Sequence, residues 1–240
     1  MRYIDKTKLQ APALYDAELR VAQLDEASIL GGTHAGLSGS DLFDNGVKRL
    51  TSYKLMREQL LEDQGYVCCY CNRRISGRGD ITEHVKPKSI YRELVGEYKN
   101  LLIACEGGQI IPSTMAPSRS KQFRRMQYPL HCDQKKGNDE LLISPITRMC
   151  EWRVHYDPLT GKVYGDSEVM DMEMKLNLNH PALIKERKEE IKNWCYDSSG
   201  NALSNDQLEK VFTKMMTREA DGRYHNLYYV IASAAMELVR

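Results

Sequence analysis

CCYCNRRISGRGDITEHVKPKS (residues 68–89), followed by YKNLLIAC (98–105) and HCDQKKGN (131–138), is the stretch on which the reading of this chain turns. Cys68 and Cys71 are spaced Cys-x-x-Cys, and two thiolates three residues apart can take adjacent corners of a tetrahedron. Cys105 and Cys132 supply a second pair. Together Cys68, Cys71, Cys105 and Cys132 form a candidate ligand set for one structural Zn²⁺, with His131 the alternative to Cys132 as fourth ligand. The competing reading is buried thiols that act as small apolar side chains. Zinc is preferred because an acid–histidine pair (Glu83-His84), an asparagine (Asn100) and a Lys-rich close fall on the same segment. Cys69, Cys150 and Cys195 are read as packed residues.

The same segment sets local expectations. Ser-Gly-Arg-Gly (76–79) is a turn signal, so 72–75 and 80–83 are expected to pair as a hairpin with Glu83 and His84 at the end of its second strand. Residues 100–105 form an apolar run that returns the chain to the cysteines. Residues 106–130 read as a long basic loop, and 132–142 as a helix packed back on the hairpin.

The chain has 240 residues, of which 42% are hydrophobic and 28% charged, as in ordinary folded proteins. MRYIDKTKLQ holds no apolar leader and YYVIASAAMELV is too short to span a bilayer, so a cytoplasmic protein without a membrane part is expected. In a reducing compartment, clustered cysteines favour a metal over disulfides. The net charge of +1 conceals an asymmetry: of 34 Lys/Arg and 33 Asp/Glu, 13 and 6 fall between residues 68 and 138, leaving 21 and 27 elsewhere. A basic core between acidic flanks suits a polyanion at one place and another partner elsewhere.

Outside this core, Pro12 suits a first helical turn, with Leu19, Ala22 and Leu24 on one helix face. GGTHAGLSGSDLFDNG (31–46) reads as a loop or linker; no Gly-Lys-Ser/Thr follows to make it a phosphate cradle. Residues 47–63 read as a helix ending near Gly65. Residues 151–157 and 162–164 read as a hairpin, and 168–178, 181–196, 201–221 and 224–240 as helices. The expected fold class is α+β. Its divisions are an N-terminal segment (1–46), a core (47–145) and a hairpin-plus-helical region (146–240) that suits partner docking. On that division, deleting 166–240 leaves zinc content intact.

Cys-x-x-Cys, then Glu83-His84, Asn-Leu-Leu-x-x-Cys at 100–105 and Cys-Asp-x-x-Lys-Gly at 132–137 resemble the HNH endonuclease family. More narrowly, EHVKPKS, YKNLLIACEGG and HCDQKKGN resemble its PtuB-type subunits, found in Septu-type and retron-associated anti-phage defence systems. These motifs cover about a third of the chain. The resemblance implies a ββα-metal core with a zinc knuckle, hydrolysis of phosphodiester bonds in nucleic acid, and a catalytic Mg²⁺ or Mn²⁺. It also implies an ATPase partner (PtuA-like) and, in retrons, a reverse transcriptase with its RNA–DNA product.

On that footing each residue takes a role. His84 is the candidate general base, since imidazole near its reference pKa of about 6.5 accepts a proton at neutral pH. Asn100 would hold the imidazole in orientation. Glu83 and Asp133 are hard oxygen donors for the divalent ion. Lys86, Lys88, Arg119, Lys121, Arg124, Arg125, Lys135 and Lys136 are candidate phosphate contacts. Two departures stand out: Glu83 where many of the family have Asp, and Asp133 where His or Asn is usual. The alternative is a zinc-stabilised nucleic-acid-binding or interaction subunit without catalysis.

Overall fold

A computed structural model describes the chain except for residues 33, 35, 78, 109–129 and 240. The expected basic loop, with Arg119, Lys121, Arg124 and Arg125, lies outside the described residues. Among the described residues no helix is long and apolar enough to cross a membrane. The fold is α+β, with two separate two-stranded antiparallel sheets set among helices.

Helix α1 (Ala13–Val21) starts at Pro12 and buries Tyr15 and Leu19; α2 (Glu26–Leu30) is capped by the Asp25 side chain. The stretch expected to be a linker is instead helical over its second half. A turn of helix, α3 (Gly39–Asp41), runs into a π turn (Leu42–Gly46) and a 3₁₀ turn (Val47–Arg49). The reason is burial: Leu42, Phe43 and Val47 enter the core. Gly39 permits this docking, because a Cβ there would lie 1.8 Å from the Lys88 carbonyl oxygen.

Helix α4 (Tyr53–Gln64) buries Met56, Leu60 and Leu61 on one face. Its first turn is held by Glu18, which accepts from Ser52 N at 3.0 Å and Ser52 Oγ at 2.7 Å. Gly65 ends it in the left-handed region at φ 65°, as its place in the sequence predicts. The last residue, Gln64, works like a strand: its amide donates to Ile103 O (2.8 Å) and accepts from Ile103 N (2.7 Å).

Strand β1 (Ile81–His84) does not pair with 72–75. It pairs with β2 (Leu101–Ala104), in the register Ile81↔Ala104 to His84↔Leu101. Asn72, at φ 60°, turns the chain back after Cys71, so 67–75 closes on itself through a Val67↔Arg74 bridge. β2 is buried along its whole length and supplies the apolar partner. After β2 comes α5 (Asp133–Lys136), a single turn rather than a helix to residue 142. Gly137, at φ 55°, stops it, and 137–140 are exposed, with no apolar face to hold further turns.

The remainder begins with α6 (Cys150–Arg153), where a strand is expected; Cys150 and Val154, four apart and both buried, fix a helical turn. The hairpin is shorter than its pattern: β3 (His155–Tyr156) and β4 (Val163–Tyr164). Four helices follow: α7 (Ser167–Leu176), capped by Asp166; α8 (Pro181–Cys195), capped by His180; α9 (Asn205–Met216), with a Ser204–Gln207 capping box; and apolar α10 (Tyr228–Leu238). This region is fastened to the cysteine segment. Leu227 N donates to Asn72 O (3.0 Å), Tyr224 N to Gly65 O (2.9 Å) and Arg74 N to Asn226 Oδ1 (2.8 Å), and Arg73 pairs with Glu186 at 2.9 Å.

Candidate active site and metal centre

The knuckle, the end of β2 and the start of α5 bring four cysteine sulfurs together, all buried and within 4.8 Å of one another. Cys68 Sγ lies 4.0 Å from Cys132 Sγ, and Cys71 Sγ 3.8 Å from Cys105 Sγ. A tetrahedron with Zn–S bonds of 2.3 Å has edges of about 3.8 Å, so the sulfur set fits zinc. Burial opposes charge on these thiols; even so, S–H donors from the neighbouring cysteines hold Cys68 well below the usual thiol range, whereas burial pushes Cys132 up. Ionising all four needs a cation in their midst. His131 stands outside the cluster, with Nδ1 3.2 Å from Cys132 Sγ. Cys69, Cys150 and Cys195 are buried and are not members of it, though the Cys69 thiol is hydrogen-bonded to that of Cys68.

Tyr70, inside the knuckle, links this centre to the second one. Its hydroxyl donates to Glu83 Oε1 at 2.6 Å, and the Lys136 ammonium reaches the same oxygen at 2.9 Å. Lys136 is 2% exposed and also donates to His84 O at 3.0 Å. Expected to face flanking phosphates, it is instead an internal partner of Glu83; one turn of helix directs its side chain inward. Lys135 and Lys86 are exposed and Lys88 half-buried, and all three remain available to a polyanion.

Glu83 shows two opposed influences. Burial and a hydrogen bond that the protonated Glu83 donates to the Asp133 carboxylate push it up to about 8, while Lys136 and Tyr70 favour its carboxylate. Two carboxyl groups this close share either a proton or a cation. As hard oxygen donors they suit Mg²⁺ or Mn²⁺.

His84 closes β1 and is buried. Its Nε2 lies 3.0 Å from Val95 O. A carbonyl only accepts, so Nε2 carries the proton and Nδ1 is the basic nitrogen. Phe43 meets the ring edge-on, with centroids 4.6 Å apart at 83°. Burial, with Lys88 and Lys136 nearby, lowers its pKa to about 4 and keeps the imidazole neutral.

Asn100 does not touch the imidazole. Its side chain accepts from Lys86 N (2.8 Å) and donates to Lys86 O (3.1 Å) and Leu94 O (3.2 Å). It thereby pins both ends of the loop whose next residue, Val95, orients His84. Asn100→Ala removes three hydrogen bonds, with an expected loss of about 3 kcal/mol at roughly 1 kcal/mol each. Denaturant unfolding checks this, and an unchanged midpoint would show that the loop stands without it.

Sequence reasoning missed Tyr70, Phe43 and the Val95 carbonyl. Tyr70 had a signal, an aromatic residue between two ligands; a backbone carbonyl has none.

No protein-family model matches the chain. It is 27% identical over 174 residues to the Vibrio cholerae serotype O1 biovar El Tor protein named "Retron Vc95 putative HNH endonuclease", covering 67% of this chain and 75% of that one. The motifs that resemble HNH endonucleases thus occur in a chain that is distantly similar to a retron protein of that name.

Proposed function

We propose that this chain is a metal-dependent HNH endonuclease that hydrolyses phosphodiester bonds. The supporting observation is the arrangement of His84: its proton is fixed on Nε2 by Val95 O, its Nδ1 is left as the base, and the Glu83–Asp133 carboxyl pair starts at the adjacent residue. His84 Nδ1 takes the proton from the attacking water, and the Val95 carbonyl stabilises the imidazolium that forms. Phe43 keeps the ring from turning. Lys136 and Tyr70 hold Glu83 in place, and Asn100 positions the loop rather than moving protons. A divalent ion held by Glu83 and Asp133 would offset charge on the scissile phosphate and leaving oxygen. Lys86, Lys88 and Lys135, with Arg119, Lys121, Arg124 and Arg125, supply cations along the substrate backbone. Four cysteines holding Zn²⁺ make the structural centre.

By its likeness to a retron protein, the chain is further proposed to act as the effector of an anti-phage complex with an ATPase and a retron reverse transcriptase. The outward faces of 146–240, where Trp152 and Met149 are exposed on and beside α6, are the proposed docking surface.

The test is cleavage of DNA and RNA by the purified chain, alone and with its ATPase, in Mg²⁺ or Mn²⁺. A base lowered to about 4 stays neutral until the pH approaches 4. At Mg²⁺ or Mn²⁺ concentrations that saturate the Glu83–Asp133 pair and displace its shared proton, the acid limb of kcat/KM is therefore expected below pH 6, whereas an unperturbed histidine would place it near 6.5. Nucleic-acid binding without cleavage under any condition would favour the non-catalytic binding module.

A further inference from the structure

Arg187, on α8, is 1% exposed and is the largest fully buried side chain among the described residues. A buried guanidinium stays charged and normally has a carboxylate partner. Among the described residues none lies within ion-pair distance of it. Its hydrogen bonds go to Gly161 O at 2.7 Å, Leu178 O at 2.8 Å and the Asn179 side chain at 3.4 Å. The turn it grips, between α7 and α8, in turn grips the fourth cysteine. Cys132 N donates to Leu176 O at 2.8 Å, and Asn177 Nδ2 donates to Leu130 O at 2.9 Å.

That grip bears on a strained residue. Cys132 has φ 53° and ψ −138°, a backbone conformation that residues with a Cβ rarely adopt. Such a conformation persists only where the surroundings over-determine it, and here the surroundings are the 176–178 turn. Charge points the same way. A zinc ion with four thiolates carries a net charge of −2, buried here beside the core, and such a centre needs positive charge nearby. Burial lowers the pKa of Arg187, and Tyr156 first, then the thiols of Cys71 and Cys132 and the Glu173 carboxylate, favour its charged form. Gly161, whose carbonyl receives Arg187 Nε, lies on the β3–β4 turn, so the side chain also ties the hairpin to the same assembly.

We infer that Arg187 is a positioning residue of the cysteine metal centre: it braces the α7–α8 turn that presents Cys132 and supplies counter-charge to the four metal-bound thiolates. The inference rests on the reading of the four cysteines as a zinc site. On this view α7, α8 and the turn between them are part of the metal centre, although all of them lie beyond its last ligand in the chain.

The test compares Arg187→Gln, Arg187→Lys and Ile191→Ala, the last a control for general loss of packing. Ile191 is buried one turn along α8 and is not among the residues bonded to the 176–179 turn. Zinc per chain is measured after purification, and affinity by competition with a chromogenic chelator. The Co²⁺-substituted protein reports tetrahedral thiolate coordination through its absorption bands. Denaturant unfolding of each metal-free variant corrects for fold stability. Arg187→Gln is expected to weaken zinc about 10–100-fold beyond the stability-matched control and to alter the Co²⁺ bands. Arg187→Lys, which keeps the charge, is expected to recover part of the affinity. Equal zinc affinity in Arg187→Gln and Ile191→Ala, at matched stability, would overturn the proposal. Wild-type protein that binds neither zinc nor Co²⁺ would instead overturn the zinc reading beneath it.

Discussion

Cys71→Ser, or stripping the protein with a strong chelator, is expected to abolish its cooperative thermal unfolding transition and reduce zinc from one ion per chain to none. Zinc in small structural sites contributes on the order of 10–16 kcal/mol of apparent binding free energy, as much as or more than the 5–15 kcal/mol net stability of a typical domain. Here the four sulfurs join segments 64 residues apart, from Cys68 to Cys132. Without a cation, burial keeps the Cys132 thiol protonated and no metal bond adds to the hold on the strained backbone at that residue. A Cys69→Ser change, next to a ligand but outside the cluster, is the matched control and should retain zinc. Circular dichroism melts with metal analysis decide it; a sharp transition in the stripped protein would show that the cysteines are simply core.

The same packing reverses the expectation for truncation. Taken from chain order alone, 166–240 is a detachable region whose loss leaves zinc intact. In the structure its residues carry the Leu176 carbonyl that anchors Cys132 N and the Leu227 amide that anchors Asn72 O. Truncation is therefore expected to lose zinc together with any partner binding.

What could be read from residue order was the chemistry. Cysteine spacing picked out the four residues whose sulfurs converge, and Glu83-His84 marked a second polar cluster with Lys136, because each side chain has few other uses in that company. Pairing was less legible. Ser-Gly-Arg-Gly looked like a hairpin turn, yet Asn72 closes the knuckle first and leaves β1 to the apolar run Leu101–Ala104, seventeen residues beyond its own end. Such a choice depends on which edge is buried, a tertiary fact. Composition misled at 39–46, where Gly and Ser hid the anchors Leu42 and Phe43. It misled again at Lys136, whose charge suggested solvent although one helical turn aims it at Glu83. Nothing in the residue order singles out Arg187; the position of α8 against the hairpin and the α7–α8 turn buries it.

The second large effect concerns His84. Its Nδ1 is the nitrogen left free to act as base, since Val95 O holds the proton on Nε2. His84→Ala is expected to lower the rate of cleavage about 10²–10⁴-fold, the usual range for a lost general base. The variant leaves the Val95 carbonyl without its donor and a gap beside Phe43, so some stability is lost as well, roughly 2–4 kcal/mol. The cysteine cluster does not include this residue, and zinc content should remain at one per chain. Loss of activity with zinc retained separates the base from the scaffold.

The measurement that bears most directly on this account is cleavage of DNA and RNA by wild-type and His84→Ala protein, side by side in Mg²⁺ or Mn²⁺ at matched zinc content, with and without the proposed ATPase partner. The account predicts cleavage by the wild type and its near-complete loss in the variant. Equal cleavage by both proteins would contradict it.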